Sequence, residues 1–206
     1  MIIEFAGLPC TGKTTLSQKL SNELKIPLKK QSTLKNNLFK MGLFLITFPV
    51  ASVHIAISIL RSEPTPKWYK IRLFKGVMPA YVLNVPKQHF LLDEGLLQRF
   101  LAMSPTSAFK KHRAYINHIA TRYHLFVVCY IPEEIRKERF LDRKKIPRSN
   151  MLTDQQRKQW EGDVKQNAEY LKKMVSNNSR MILLNTTDFD HALINLKDHL
   201  KLRGVI

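Results

Sequence analysis

Eight residues near the start of the chain constrain it more than any others. Gly7-Leu8-Pro9-Cys10-Thr11-Gly12-Lys13-Thr14 satisfies the pattern G-x-x-x-x-G-K-[ST] without a mismatch. The apolar run Ile2–Ala6 leads into it, and a helix-compatible segment follows from Lys13 to Leu24. Strand, glycine-bounded loop and helix open an α/β unit. The order of residue types has a physical reading. Gly7 and Gly12 permit backbone angles and close approach that a side chain would block. The loop turns successive N–H groups toward an anion at the positive end of the helix that follows. Lys13 adds a mobile charge that can reach the β- and γ-phosphates of a nucleotide, and the Thr14 hydroxyl can ligate Mg²⁺. Pro9, Cys10, Thr11 and Thr15 complete the candidate cradle, Cys10 through its backbone amide and not its thiol. A chance glycine-rich turn would leave the flanking strand and helix unexplained.

Three more apolar runs read as buried strands: Gln88–Leu92, His124–Ile131 (stopped by Pro132) and Arg180–Leu184, with Ile26–Leu28 as a weaker one. Helical patterns lie at Thr106–Tyr123, Glu133–Arg143, Thr153–Val175 and Phe189–Leu202. Short apolar strands alternating with helices predict a three-layer α/β sandwich around a mainly parallel sheet. At 206 residues without a repeat or linker-like stretch, one domain over 1–206 is expected. Within it, 34–85 reads as a helical insertion on the acceptor side and 133–150 as a lid-like segment.

The charge is uneven. The chain carries a formal +18, and between Lys25 and Gln88 lie ten basic residues and one acid, Glu63. Such an imbalance points to phosphates, nucleic acid or an acidic membrane surface. Two cysteines form no disulfide framework or Cys-rich zinc site, which favours a reducing, cytoplasmic setting. Leu43–Leu60 has 13 apolar residues in 18, long enough to raise a membrane span. Thr47, Pro49, Ser52, His54 and Ser58 interrupt it, so a buried or surface-docked helical segment is the first expectation, and peripheral membrane contact through 43–60 the second. Val53, Ile55, Ile57 and Ile59 also alternate as a strand would.

The run His89-Phe90-Leu91-Leu92-Asp93-Glu94-Gly95 is a strand ending in two carboxylates. In a parallel sheet that end shares an edge with the glycine loop, where ligands bind. Asp93 there could orient a Mg²⁺ shell, and Glu94 could polarise an incoming hydroxyl or take its proton. Asp93 could instead only cap the following helix. After the third strand, Arg136, Arg139 and Arg143 recur at helical spacing and could converge on one anion. A solvated helix with Glu/Arg pairs is the plainer alternative.

Together these residues resemble the P-loop kinase superfamily in its nucleoside and nucleotide kinase-like branch. GLPCTGKT matches the first loop, FLLDEG the second acidic strand, and IPEEIRKERFLDRKK the helix leading into an Arg-bearing lid. Leu183-Leu184-Asn185-Thr186-Thr187-Asp188 looks like the adenine-side loop, with Thr187 in it. DEGLLQRF is also similar to bacterial P-loop proteins described as AAA-family or kinase-like. The resemblance implies a P-loop NTPase fold with ATP and Mg²⁺ as cofactors. Gly7, Gly12, Lys13, Thr14 and Thr15 would hold the phosphates. Asp93 would serve metal or acceptor, and Arg139 and Arg143 would close over the transferring group. Deoxynucleoside kinases place a Glu base after their second strand, where this chain reads Lys29-Lys30-Gln31-Ser32-Thr33.

The expected activity is therefore a small-molecule kinase whose acceptor is anionic or membrane-linked. Arg61, Lys67, Lys70 or Arg72 could hold a phosphate on the acceptor, and Trp68 and Tyr69 could stack on a ring. Two other classes stay open. One is a nucleic-acid-binding protein or polynucleotide end kinase, disfavoured by the lack of a recognition motif. The other is a nucleotide-gated ATPase at a membrane.

Overall fold

The structure is a computed structural model that describes residues 1–29, 89–93, 95–103, 124–142 and 153–206, with isolated helical positions between 42 and 60. Its elements in chain order are β1 (Ile2–Gly7), α1 (Lys13–Leu24), β2 (Leu28–Lys29), β3 (Phe90–Leu92), α2 (Leu96–Met103), β4 (His124–Tyr130), α3 (Glu133–Leu141), α4 (Asp154–Val175), β5 (Met181–Asn185) and α5 (Phe189–Leu202).

The five strands form one sheet in the order β2-β3-β1-β4-β5. Every pairing is parallel: Ile2 lies opposite Phe90 on one side and His124 on the other, and Phe126 lies opposite Met181. β1 is central and all six of its residues are buried. That explains why the strands read as apolar runs, since both faces are covered. Side chains alternate along β1, so Ile3 and Phe5 join one core with Leu16 and Leu20 of α1 and Leu193, Leu196 and Leu200 of α5. Burying each such side chain contributes about 1.5–3 kcal/mol. The intervening residue, Glu4, points to the other face, where α2 packs on β1 and α4 packs on α2.

Local chemistry fixes the helix ends. The Thr153 hydroxyl accepts from the Gln156 amide while the Gln156 side chain accepts from the Thr153 amide, a reciprocal cap on α4. The Asp188 carboxylate accepts from the amides of Asp190 and His191 and opens α5. Ion pairs Lys19–Asp190 and Glu23–Lys197, at 2.6 and 2.8 Å, join α1 to α5 across their exposed edges.

Several expectations shift. β2 begins at Leu28 and pairs with Leu91 and Leu92, later than the Ile26–Leu28 run. α2 follows β3 directly, as the helix expected to start at Gly95, and the expected helix Thr106–Tyr123 lies outside the described residues. Gly42, Leu45, Ile46, Pro49, Val53, Ala56, Ile57 and Leu60 are helical, which removes the strand alternative at Val53 and Ile57. Among the described residues no helix is long and apolar enough to cross a membrane.

Candidate active site

The Gly7–Thr14 loop connects β1 to α1 at the carboxyl edge of the sheet. Its backbone explains its glycines: Gly12 has φ +78°, and a Cβ there would strike the Phe189 ring, while one at Gly7 would strike the Cys129 carbonyl. Cys10 takes φ +66° although it is not glycine, a strain concentrated in the middle of the loop. The Lys13 ammonium folds back over the loop and donates to the carbonyls of Gly7 at 3.1 Å and Leu8 at 2.8 Å. Thr11 is buried, and its hydroxyl donates to the Leu8 carbonyl at 2.9 Å. Thr11 therefore shapes the loop, with its side chain turned inward.

Two further elements brace this loop. The Gly7 amide donates to Gln98 Oε1 of α2 at 2.9 Å. Thr186, buried at the end of β5, donates its hydroxyl to the carbonyl of Thr11 at 2.5 Å and that of Tyr130 at 3.2 Å. Neither Gln98 nor Thr186 was anticipated as a functional residue. Their signal is tertiary: each is an ordinary polar residue that the sheet order brings beside the loop.

The acidic strand arrives where the parallel sheet required. The Thr14 hydroxyl donates to Asp93 Oδ2 at 2.8 Å, so the two candidate metal ligands touch. At the start of α2, Glu4 Oε1 accepts from the amides of Leu97 and Gln98 at 2.5 and 3.3 Å. Glu94, the neighbouring candidate, lies outside the described residues. Among those residues no group of three or more His, Cys, Asp or Glu side chains is placed to hold a metal. A Thr–Asp oxygen pair beside a phosphate cradle nevertheless suits Mg²⁺, which takes one or two carboxylates plus phosphate oxygens and water.

The arginines divide instead of converging. Arg139 lies over the cleft, donating to the carbonyls of Thr186 at 3.4 Å and Thr187 at 3.1 Å, its guanidinium 5.1 Å from the centre of the Phe189 ring. Arg136 turns away and grips Glu133 with two 2.8 Å hydrogen bonds. That grip holds the Glu133 carboxyl down at about 2. Arg143 lies outside the described residues. Thr187 presents its carbonyl to Arg139, while its own amide and hydroxyl donate to Asn185 Oδ1.

Lys13, Thr14, Thr15, Arg139, Asp142 and Phe189, with Cys10 and Gly12, enclose a cleft of about 460 Å³. Asp142 and Phe189 were not anticipated. Phe189 offers the cleft an apolar ring, set against Gly12 and under the Arg139 guanidinium. Below the loop, burial pushes the Cys129 thiol up to about 12, so it stays protonated and inert.

No family model matches the sequence, and no curated protein matches it. Solved structures do. The fold is similar to deoxyadenosine kinase from M. mycoides with bound dATP, at TM-score 0.56 and 14% identity over 98% of this chain and 100% of that one. It is similar to the YorR protein of Bacillus subtilis, solved with phosphorylated GDP, at TM-score 0.53 and 14% identity over 99% and 98%. It is also similar to shikimate kinase from Bacteroides thetaiotaomicron, at TM-score 0.51 and 10% identity over 98% of both chains. The chain thus has the P-loop kinase fold.

Proposed function

We propose that the chain is an ATP-dependent phosphotransferase that moves the γ-phosphoryl group of ATP·Mg²⁺ to a hydroxyl or phosphate oxygen of a small anionic acceptor. The observation that carries this reading is the 2.8 Å contact between Thr14 and Asp93 beside a lysine-bearing anion loop. A hydroxyl from the loop and a carboxylate from the neighbouring strand are the oxygen pair that phosphoryl transfer with a divalent ion uses.

In this scheme the loop amides and Lys13 hold the β- and γ-phosphates, and Thr14 and Asp93 hold Mg²⁺. When bound, Mg²⁺ would neutralise the negative charge that builds on the β- and γ-oxygens. Arg139 adds positive charge from the opposite wall. An acceptor oxygen forms its bond to the γ-phosphorus as the bond to the β,γ-bridging oxygen breaks. ADP leaves with that electron pair, and the acceptor proton passes to a carboxylate of the Asp93-Glu94 pair. Catalysis then comes mainly from positioning and charge neutralisation. Phe189 would pack on the base, and Thr187 would meet it through the backbone. The kinase neighbours named above, which act on chemically different small molecules, support a small-molecule acceptor without choosing one. An ADP-release screen against pooled sugars, sugar acids, nucleosides, nucleotides and lipid alcohols tests the reading. Acceptor-dependent release supports it, and release that no acceptor raises contradicts it.

A second reading concerns location. Ile46 and Leu60 are 82% and 69% exposed on the helical positions between 42 and 60, with Val53 also exposed. Basic residues flank this stretch. An apolar stripe with cationic flanks favours peripheral contact with an anionic membrane surface. Co-sedimentation with liposomes rich in phosphatidylserine should be lost in an Ile46→Ser/Val53→Ser/Leu60→Ser variant, and equal pelleting would contradict it.

A further inference from the structure

A second cavity, about 530 Å³, lies on the other side of α3 from the nucleotide cleft. Leu8 and Pro9 of the loop form one wall, α3 another and the first half of α4 a third. Its size is that of a small-molecule site. Helix α3 is the partition: Arg139 and Asp142 face the cleft, whereas Arg136 and Phe140 face this cavity.

The position of Lys13 relates the two spaces. Its ammonium sits on the carbonyls of Gly7 and Leu8, and that ammonium is the group that reaches the β- and γ-phosphates. The transferable end of a nucleotide therefore belongs at the Gly7–Leu8 end of the loop. Leu8 and the adjoining Pro9 are the loop residues that border the second cavity.

The lining has two characters. Trp160 and Val164 pack with Leu8 as a small apolar cluster, and the Trp160 indole is fixed by donating to the Ala102 carbonyl at 2.9 Å. Around them stand Arg136, Lys137, Lys158 and Lys165 against Glu133 and Glu161, an excess of two positive charges. Lys165 reaches across from α4 to within 3.7 Å of Glu133 on α3, so the cations of both helices border one space.

We infer that this cavity is the acceptor site, and that the acceptor is a small phosphate monoester or carboxylate with an apolar body, held by Lys158 and Lys165 and seated on Trp160. The assignment of the space as an acceptor site rests on the phosphotransferase reading; its preference for such an anion does not. Arg136, already gripped by Glu133, sets the partition, and the lysines of α4 supply the recognising charge.

The test is a titration with phenyl phosphate, benzoate and phenol while a non-hydrolysable ATP analogue with Mg²⁺ fills the nucleotide cleft. Calorimetry on the unmodified chain is the first readout; because the chain has two tryptophans, Trp160 emission in a Trp68→Phe background is the second and is read only where the two agree. Phenyl phosphate or benzoate should change Trp160 emission and give heat at least roughly tenfold below the concentration at which phenol does. Which anion is tighter separates the phosphate from the carboxylate source. In Lys158→Glu/Lys165→Glu, two exposed positions on α4, the response should disappear with the thermal midpoint unchanged. Lys165→Arg should restore it alongside Lys158. Anions that bind no better than phenol, give neither signal up to about 10 mM, or bind the double variant equally would overturn the inference. A positive titration with a negative ADP-release screen would remove the reaction and leave the anion pocket standing.

Discussion

Glu4, buried in the central strand, holds the amide of Leu97 at 2.5 Å and so fixes the start of α2. The carboxyl group lies directly over Gly95, where any Cβ would overlap it. One acid in an apolar strand therefore explains both the glycine at position 95 and the placement of Gln98 on the Gly7 amide. Glu4→Leu should cost about 1–3 kcal/mol, because the α2 amides lose a buried acceptor. Glu4→Gln, which keeps an acceptor oxygen, should cost less. Gly95→Ala should cost about 1–3 kcal/mol through overpacking. Thermal unfolding of the three variants checks the order.

That relationship marks where the sequence was legible and where it was not. The loop, α1 and α5 are set by local signals: glycine spacing, apolar periodicity and the Asp188 cap. Their boundaries follow, and Lys13–Leu24 and Phe189–Leu202 form the helices that their patterns predict. The meeting of Thr14 with Asp93 followed from the parallel-sheet rule once both strands were recognised. Glu4, Gln98, Thr186 and Phe189 carried no such signal, because their roles depend on which strand lies beside which. Helical spacing also placed Arg136 and Arg139 near one another, and it is the plainer Glu/Arg pairing that Arg136 follows, through Glu133, while Arg139 reaches the cleft.

Asp93→Asn keeps the size of the side chain and removes its charge. If Asp93 and Thr14 hold Mg²⁺, ATP turnover in this variant should fall about 100-fold or more, with fold stability little changed. Raising Mg²⁺ should recover part of the loss. Steady-state ADP release across a Mg²⁺ series checks it, and a wild-type Mg²⁺ profile would contradict the metal assignment.

The two cysteines should separate cleanly under alkylation. Cys10 is partly exposed at the cleft, whereas Cys129 is buried and its thiol is raised to about 12. Iodoacetamide should modify Cys10 alone at neutral pH, and ATP·Mg²⁺ should slow that modification. Peptide mass spectrometry reads both outcomes.

His124 links the fold to pH. Burial lowers it to about 4, while in the unfolded chain it titrates near its usual value of about 6.5. Between those values the unfolded state takes a proton that the folded state refuses. The stabilisation is complete above pH 6.5 and is lost as pH falls toward 4, by up to about 3 kcal/mol. Urea unfolding across that window should show the slope, and His124→Gln should flatten it. Glu133, held at about 2, contributes in a separate window below about pH 4.5, where its unfolded form protonates first.

The central claim is that the Gly7–Thr14 loop holds the phosphates of an ATP whose γ-phosphoryl group is transferred to an acceptor. ADP release by the wild type and by Lys13→Ala, each with and without the acceptor pool, measures it most directly. The account predicts acceptor-stimulated release from the wild type and a loss of about 100-fold or more in Lys13→Ala at an unchanged thermal midpoint. Equal release from the two proteins would contradict it.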